Sequence, residues 1–219
     1  MERKLFDELL QSVVLIDQSC SSLLNGLEQG LVHVKNEYYD QALEVHGKKM
    51  TEETIIAWKM SEHMKNKGYN TFSERRYPNA IKRMNCDLII DLGERQEIWV
   101  EVKLAWKAWF NCVSGPVYTN SCYKPYLHGT GKTHSFKHDL EKLGTAKLTD
   151  TTARLVCLIG FDHNANPIIS EVKSVVDEQS RIGNVWKLVG DLHWADKRCP
   201  DFSFHCWCWH CQSHDVHCA

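Results

Sequence analysis

The stretch that decides the fold of this chain is residues 83–103, which read RMNCDLIIDLGERQEIWVEVK. A short apolar run, Leu88 to Ile90, leads into an acidic segment that contains Gly93, and a second run follows in which apolar and polar residues alternate. Apolar runs of this length, separated by turn-forming residues, are typical of paired strands. The stretch therefore predicts a β-hairpin with its turn near Gly93.

Alternation along the second strand sorts its side chains onto two faces, because successive side chains of a strand point to opposite sides. The apolar face holds Ile98, Val100 and Val102. The opposite face holds Glu97, Trp99, Glu101 and Lys103. We therefore expect Glu101 and Lys103 to project side by side, near Asp87 on the first strand.

The side chains of Asp87, Glu101 and Lys103 have the chemistry of a hydrolytic metal site. Carboxylate oxygens suit Mg²⁺, which takes one or two carboxylates from a protein and keeps several waters. A lysine on the same face can lower the pKa of a metal-bound water or hold the attacked phosphate. The Glu-x-Lys pair by itself is more typical of a solvated hairpin face, and it is Asp87 on the preceding strand that favours the metal site.

Asp87, the thirteen residues after it and then Glu101-Val102-Lys103 resemble the active-site signature of the PD-(D/E)xK superfamily, the restriction-endonuclease-like nucleases. Cys86 stands where the family has a proline. The resemblance implies an α/β fold with an αβββαβ core, in which a central mixed sheet is flanked by helices. It also implies a metal-dependent nuclease that hydrolyses phosphodiester bonds, most often a DNA endonuclease of restriction or defence type.

Roles for the signature residues follow from the same resemblance. Asp87, Glu101 and the backbone carbonyl of Val102 are expected to bind Mg²⁺, for which Mn²⁺ can substitute. Lys103 is expected to orient or activate the attacking water.

An additional acidic residue is expected near this site, since the first core helix of these nucleases often contributes one. Glu53 is the matching position, and it begins the apolar stripe of a helix predicted over residues 51–67. Its other interpretation is a favourable negative charge at a helix N-terminus. Glu74, near the end of a strand predicted over residues 69–76, is the alternative, and the sequence does not separate the two.

The order of elements around the hairpin agrees with the implied core. A helix and a strand precede the hairpin, and a helix over residues 135–143 and a buried strand over residues 153–161 follow it. The chain is predicted to have three parts: an N-terminal helical segment over 1–48, the nuclease-like domain over 49–198, and a Cys/His-rich strand or tail over 199–219.

Basic residues near the signature are candidates for contact with DNA phosphates. They are Arg75, Arg76, Lys82, Arg83 and Lys107. The formal net charge of −2 gives no overall positive field, so DNA binding depends on such local patches. Their other interpretation is a solvated loop. With so neutral a surface, we expect a homodimer or a partner protein that supplies DNA specificity.

The C-terminal segment, residues 199–219, is rich in cysteine and histidine. A structural Zn²⁺ takes four such ligands, and the local pattern is Cys206-x-Cys208-x₂-Cys211. The alternation of residues 202–209 predicts instead a strand, in which free cysteines pack as small apolar side chains. Both interpretations are open at this point.

Several classes of function are limited by the sequence. The longest apolar runs have four or five residues, which excludes a membrane-spanning helix. No signal-peptide pattern opens the chain, so we expect a cytoplasmic protein whose ten cysteines are reduced. Two other functions stay open: a catalytically inactive relative that binds nucleic acid or protein, and a zinc-organised interaction protein.

Overall fold

The computed structural model describes residues 8, 52–78, 84–106, 108–111, 115–118, 124–129, 135–149, 152–163, 168–181, 185–195 and 202–212. The helical segment predicted over 1–48 therefore lies outside the described residues, apart from Glu8. The helices are α1 (Glu52–Asn66), α2 (Lys124–His128), α3 (Phe136–Thr145) and α4 (Ile169–Arg181). The strands are β1 (Asn70–Arg76), β2 (Asn85–Gly93), β3 (Gln96–Trp106), β4 (Ala108–Asn111), β5 (Gly115–Tyr118), β6 (Thr152–His163), β7 (Val185–Ala195) and β8 (Phe202–Gln212).

The fold is built on a six-stranded mixed sheet with the strand order β1-β2-β3-β6-β8-β7. Strands β3 and β6 are parallel, and the other neighbours are antiparallel. Strands β4 and β5 form a separate two-stranded sheet. The α/β class with a mixed sheet flanked by helices is confirmed, and the predicted helices and strands around the hairpin are present, with ends that differ by at most two residues. No helix among the described residues has the length and apolar character needed to cross a bilayer.

The predicted hairpin is formed by β2 and β3, with Leu88 opposite Val100. Its turn residues, Glu94 and Arg95, have positive φ values of 51° and 66°. Two consecutive positive φ values are those of a type I′ turn, whose twist matches that of paired strands. Gly93 precedes them, also with positive φ, and its N–H donates a 2.8 Å hydrogen bond to Asp91 Oδ1.

Strand β3 is buried on both faces, and its alternation separates them as predicted. Ile98, Val100 and Val102 lie in an apolar cluster with the buried side chains of α1. Trp99 lies on the opposite face, in a second cluster with the buried side chains of α3 and α4. Glu101 and Lys103 share the face of Trp99 by strand alternation, and only 2% and 5% of their surfaces are exposed. The interpretation of this face as a solvated hairpin surface is therefore wrong.

Strand β8 lies inside the sheet, paired with β6 on one side and β7 on the other. Cys206 and Cys208 are fully buried in the same cluster as Cys157 of β6, and the sulfur atoms of Cys157 and Cys208 are 3.5 Å apart. Cys211 packs in the cluster on the opposite face. The strand interpretation of the C-terminal segment is confirmed, with the cysteines as apolar packing groups.

A tight contact between Gly160 of β6 and Trp207 of β8 provides a test of this packing. A β-carbon at Gly160 would lie 2.9 Å from Trp207 Cζ3, and Trp207 is only 1% exposed. We expect Gly160→Ala to lower the free energy of unfolding by about 1–3 kcal/mol in urea denaturation, since a packed core has no room for an added methyl. In a Trp207→Phe background the same methyl should cost less, and an equal cost in both backgrounds would contradict the contact.

His205 of β8 links stability to pH. Burial, together with the nearby His193, lowers the pKa of His205 to about 4. A histidine in the unfolded chain titrates near pH 6.5, so the unfolded state binds more protons between about pH 6.5 and pH 4. The free energy of unfolding should therefore fall as the pH drops through this window, and fall less in His205→Gln. Identical pH profiles for the two proteins in urea denaturation would refute this expectation.

Candidate active site

Asp87 and Glu101 form a carboxyl pair where β2 and β3 separate. The register of the two strands runs as far as Leu88 and Val100. Just beyond it, Asp87 Oδ2 accepts a 2.8 Å hydrogen bond from Val102 N–H, and the charge of Asp87 acts on the nearby carboxyl of Glu101, whose pKa is raised by burial and by this charge. Two neighbouring carboxyls are stabilised by a cation or a shared proton, because their negative charges repel each other.

Lys103 lies beside this pair and connects two helices. Its Nζ is 2.9 Å from Glu53 Oε2, at the start of α1, and 3.4 Å from Asp139 Oδ2 on α3. Glu53 Oε1 also accepts a 3.3 Å hydrogen bond from Leu104 N–H. The structure therefore brings Glu53 to the site, where both oxygens of its carboxylate hold the end of β3.

Lys142 and Tyr77 bind the other side of Glu101. Lys142 Nζ lies 2.8 Å from Glu101 Oε2 and 3.2 Å from Asp139 Oδ1, one turn earlier on α3. The Tyr77 hydroxyl donates a hydrogen bond to Glu101 Oε1. The beginning of α3 is fixed by Ser135, whose hydroxyl accepts a hydrogen bond from His138 N–H.

Acidic and basic side chains thus alternate in one row. We use the name ion-pair row for this set, in order of contact: Glu53, Lys103, Asp139, Lys142 and Glu101. Apart from Glu53, whose side chain is 27% exposed, every member has a side chain at most 9% exposed. Asp87 adjoins the end of the row at Glu101.

Burial makes three carboxyls of this site, those of Glu101, Asp87 and Glu53, weaker acids than usual because it raises their pKa. It is the largest cause that raises the pKa of Glu101 well above its ordinary value, and the charges of Asp87 and Asp139 add to it. Burial also raises the pKa of Asp87. The pKa of Glu53 is raised in the same way, although the ammonium of Lys103 opposes the shift.

The two lysines keep their charge in this environment. Burial lowers the pKa of Lys103, but the carboxylates of Asp139 and Glu53 outweigh it and leave the pKa above its ordinary value. The pKa of Lys142 is raised because Glu101 and Asp139 outweigh burial there too. Both side chains are therefore held as ammonium ions.

The donor set fits a divalent cation between Asp87 and Glu101. Four carboxyls face two ammonium ions, so full ionisation leaves two negative charges uncompensated. Among the described residues, no lysine or arginine is paired with Asp87. The described side chains also include no group of three or more His, Cys, Asp or Glu residues placed to hold one metal ion. Mg²⁺ takes only one or two carboxylates from a protein and keeps several waters, so Asp87 and Glu101 would be its carboxylate ligands here.

Three of the remaining predicted site residues, Glu74, Arg75 and Arg76, lie on β1. Glu74 is exposed on the edge strand β1, so contact with Lys103 favours Glu53 as the additional acidic residue. Arg75 pairs with Glu97 at 2.5 Å and lies over the Phe72 ring at 4.2 Å, so its charge is already paired. Arg76 is exposed at the end of β1. Three predicted phosphate contacts lie outside the described residues: Lys82, Arg83 and Lys107.

The zinc hypothesis finds no converging ligands in the part of the chain that the structure describes. Cys206 and Cys208 face one side of β8, and Cys211 faces the other. Cys199, His214, His217 and Cys218 lie outside the described residues. A structural Zn²⁺ in this segment stays a prediction.

Sequence analysis did not identify Tyr77, Asp139 and Lys142 as site residues. A signal existed for Asp139, because it falls between Phe136 and Leu140 on the buried stripe of α3. Lys142 then follows one helical turn later, on the same side. Tyr77 carried no comparable signal, since only tertiary contact brings it to Glu101.

Comparison with protein-family models, with curated proteins and with solved structures found no match to this chain.

Replacement of Lys103 by methionine measures how strongly the ion-pair row depends on its charges. Lys103→Met leaves Glu53 and Asp139 without this ammonium, so we expect the free energy of unfolding in EDTA to fall by about 3–5 kcal/mol. Lys137→Met is the matched control, because it breaks the exposed Lys137–Glu178 pair, with its 2.6 Å separation. The control should change stability by less than about 1 kcal/mol. The free energies of unfolding are measured by urea denaturation. Equal decreases in the two variants would contradict the claim that the buried ion pairs of Lys103 contribute more to stability than an exposed pair.

Proposed function

We propose that this chain is a metal-dependent nuclease that hydrolyses phosphodiester bonds, a DNA endonuclease of restriction or defence type with a restriction-endonuclease-like fold. The observation that carries the proposal is the pair of neighbouring carboxyls of Asp87 on β2 and Glu101 on β3, together with the ammonium of Lys103, which lies on the same strand as Glu101. These are the three side chains of the PD-(D/E)xK signature that the sequence resembles.

The order of elements supports the proposed fold. The core helix α1 is followed by β1, β2 and β3 and, after the inserted β4, β5 and α2, by α3 and by β6, which pairs in parallel with β3. This is the αβββαβ order that the resemblance implies. The signature residues lie on β2 and β3 in the middle of that order.

The cost of burial supports a functional role for the charges. Burying a charge costs several kcal/mol even when it is paired, and well-packed apolar residues of similar volume are often at least as stable. Charged groups with strongly shifted pKa values are characteristic of catalytic sites. The five charged side chains of the ion-pair row are therefore better explained by a catalytic role than by a contribution to the stability of the fold.

The side chains take distinct roles in the proposed reaction. Asp87, Glu101 and the backbone carbonyl of Val102 would hold Mg²⁺. There it would supply the positive charge that activates water and stabilises charge on the phosphorus centre and the departing oxygen. Lys103 orients the attacking water, and Glu53 holds the Lys103 ammonium in place through their 2.9 Å contact. Direct ligation of the metal by Glu53 stays a prediction.

Contact with the DNA backbone is assigned to basic side chains outside the ion-pair row. The proposed phosphate contacts are Arg75, which also pairs with Glu97, Arg76 at the end of β1, and Lys82, Arg83 and Lys107, which lie outside the described residues. A net charge of −2 favours a homodimer or a specificity-giving partner as the source of further DNA contacts.

Glu101→Gln and Glu97→Gln form a matched pair for the test of this function. Both residues lie on the same face of β3, but Glu97 pairs with Arg75 and Trp99 rather than with the proposed metal site. We expect Glu101→Gln to reduce Mg²⁺-dependent cleavage by more than about 100-fold, because even outer partners of metal ligands contribute 10–100-fold. Glu97→Gln should retain cleavage within a few-fold of the wild type.

The assay uses supercoiled, linear and single-stranded DNA and RNA, each with Mg²⁺, Mn²⁺ or EDTA. Cleavage that survives EDTA or Glu101→Gln would refute the assignment. No cleavage on any substrate, from a folded protein that also binds no metal, would favour a relative that binds nucleic acid or protein without cutting it.

A further inference from the structure

Glu101 has cations or donors on two of its sides. A carboxylate offers about four lone-pair positions on its two oxygens. The Tyr77 hydroxyl takes one on Oε1 and the Lys142 ammonium takes one on Oε2. Neither group is a metal ion, and the positions that remain lie near the Asp87 carboxyl, whose charge acts on Glu101.

Lys142 is fixed where it lies. Its Nζ is 2.8 Å from Glu101 and 3.2 Å from Asp139, and its side chain is 9% exposed. The side chain of Asp139 is itself 3% exposed, and among the described residues its Oδ2 has no hydrogen-bond partner, with Lys103 Nζ 3.4 Å away. Displacement of the Lys142 ammonium would leave Glu101 and Asp139 buried without it, which costs several kcal/mol.

A second divalent ion would compete for the same place. In two-metal hydrolytic sites the ions lie about 3.5–4 Å apart and clamp the attacking and leaving oxygens of the reaction. Here an ammonium already lies on the Oε2 side of Glu101, and the Asp139 carboxylate that could support another ion is held by two lysines. With all four carboxyls ionised and both lysines charged, two negative charges are uncompensated, which one divalent ion neutralises.

We propose that Lys142 is a positioning residue that occupies the place of a second metal ion on Glu101, so that the site takes a single divalent cation between Asp87 and Glu101. The inference rests on the proposed function, because it concerns the metal centre of that same site. Lys142 acts through Glu101: it holds one lone-pair position on Oε2, as Tyr77 holds one on Oε1, and the remaining positions are left for the metal ion. The fixed charge of Lys142 replaces an ion that other hydrolytic sites take from solution.

The test counts bound Mn²⁺ ions on the full chain, by calorimetric titration and by electron paramagnetic resonance. Glu101→Gln provides the blank, and only ions absent from this variant are counted. The wild type should bind one ion, and Lys142→Met should bind two. Lys142→Gln should also bind two, and it keeps a hydrogen-bond donor beside Glu101 in case the methionine variant does not fold.

Two further variants control for charge and for loss of the other Glu101 partner. Lys142→Arg keeps a cation at this place and should bind one ion. Tyr77→Phe removes the hydroxyl on Oε1 but leaves Lys142, so it should also bind one ion.

The number of bound Mn²⁺ ions distinguishes failure of the inference from failure of the proposed metal centre. Two ions on the wild type, or one ion on a folded Lys142→Gln or Lys142→Met, would overturn the inference and leave the nuclease proposal intact. No ion on the wild type would overturn the proposed metal centre together with the inference. Because the count does not depend on turnover, loss of cleavage by itself does not enter this test.

Discussion

The contact of Asp139 with two ammonium groups is the interaction on which this end of the sheet depends. Through it, α3 is joined to Lys103 on β3, and Lys103 is joined in turn to Glu53 at the start of α1. A buried charge without a partner destabilises a protein by several kcal/mol, so none of these groups can leave the row alone. The positions of α1, β3 and α3 at the site are therefore determined together.

The apolar clusters on the two faces of the sheet provide stabilisation that offsets the free-energy cost of burying these charges. Side chains of α1 pack against one face of β3, and side chains of α3 pack on the other. The ion-pair row runs from Glu53, which is partly exposed, to Glu101, which is buried. Hydrophobic burial thus fixes the elements, and the ion pairs fix the side chains of the site within them. Such a division is expected of a site that must hold charges at fixed distances.

The hairpin and the two faces of β3 could be predicted because their signals are local. Alternation placed Glu101 and Lys103 on one face, and turn-forming residues placed the turn near Gly93, where the structure has it. The burial of that face was not predictable from the hairpin alone, because it depends on helices from distant parts of the chain. The same reason explains why Tyr77 and Lys142 were missed, since neither belongs to a local motif.

The position of β8 has a consequence for how the sheet is assembled. Strands β6 and β7 both precede β8 in the chain, yet they do not touch, because β8 lies between them. The meander of β1, β2 and β3 needs only short loops and can pair early, whereas the other half of the sheet closes only after residues 202–212 have been synthesised. Until then β6 and β7 each keep an open edge that can pair with another chain. Strand β8 thus lies inside this half of the sheet but follows β6 and β7 in the chain. The core of this half is therefore complete only after β8 has paired with both strands.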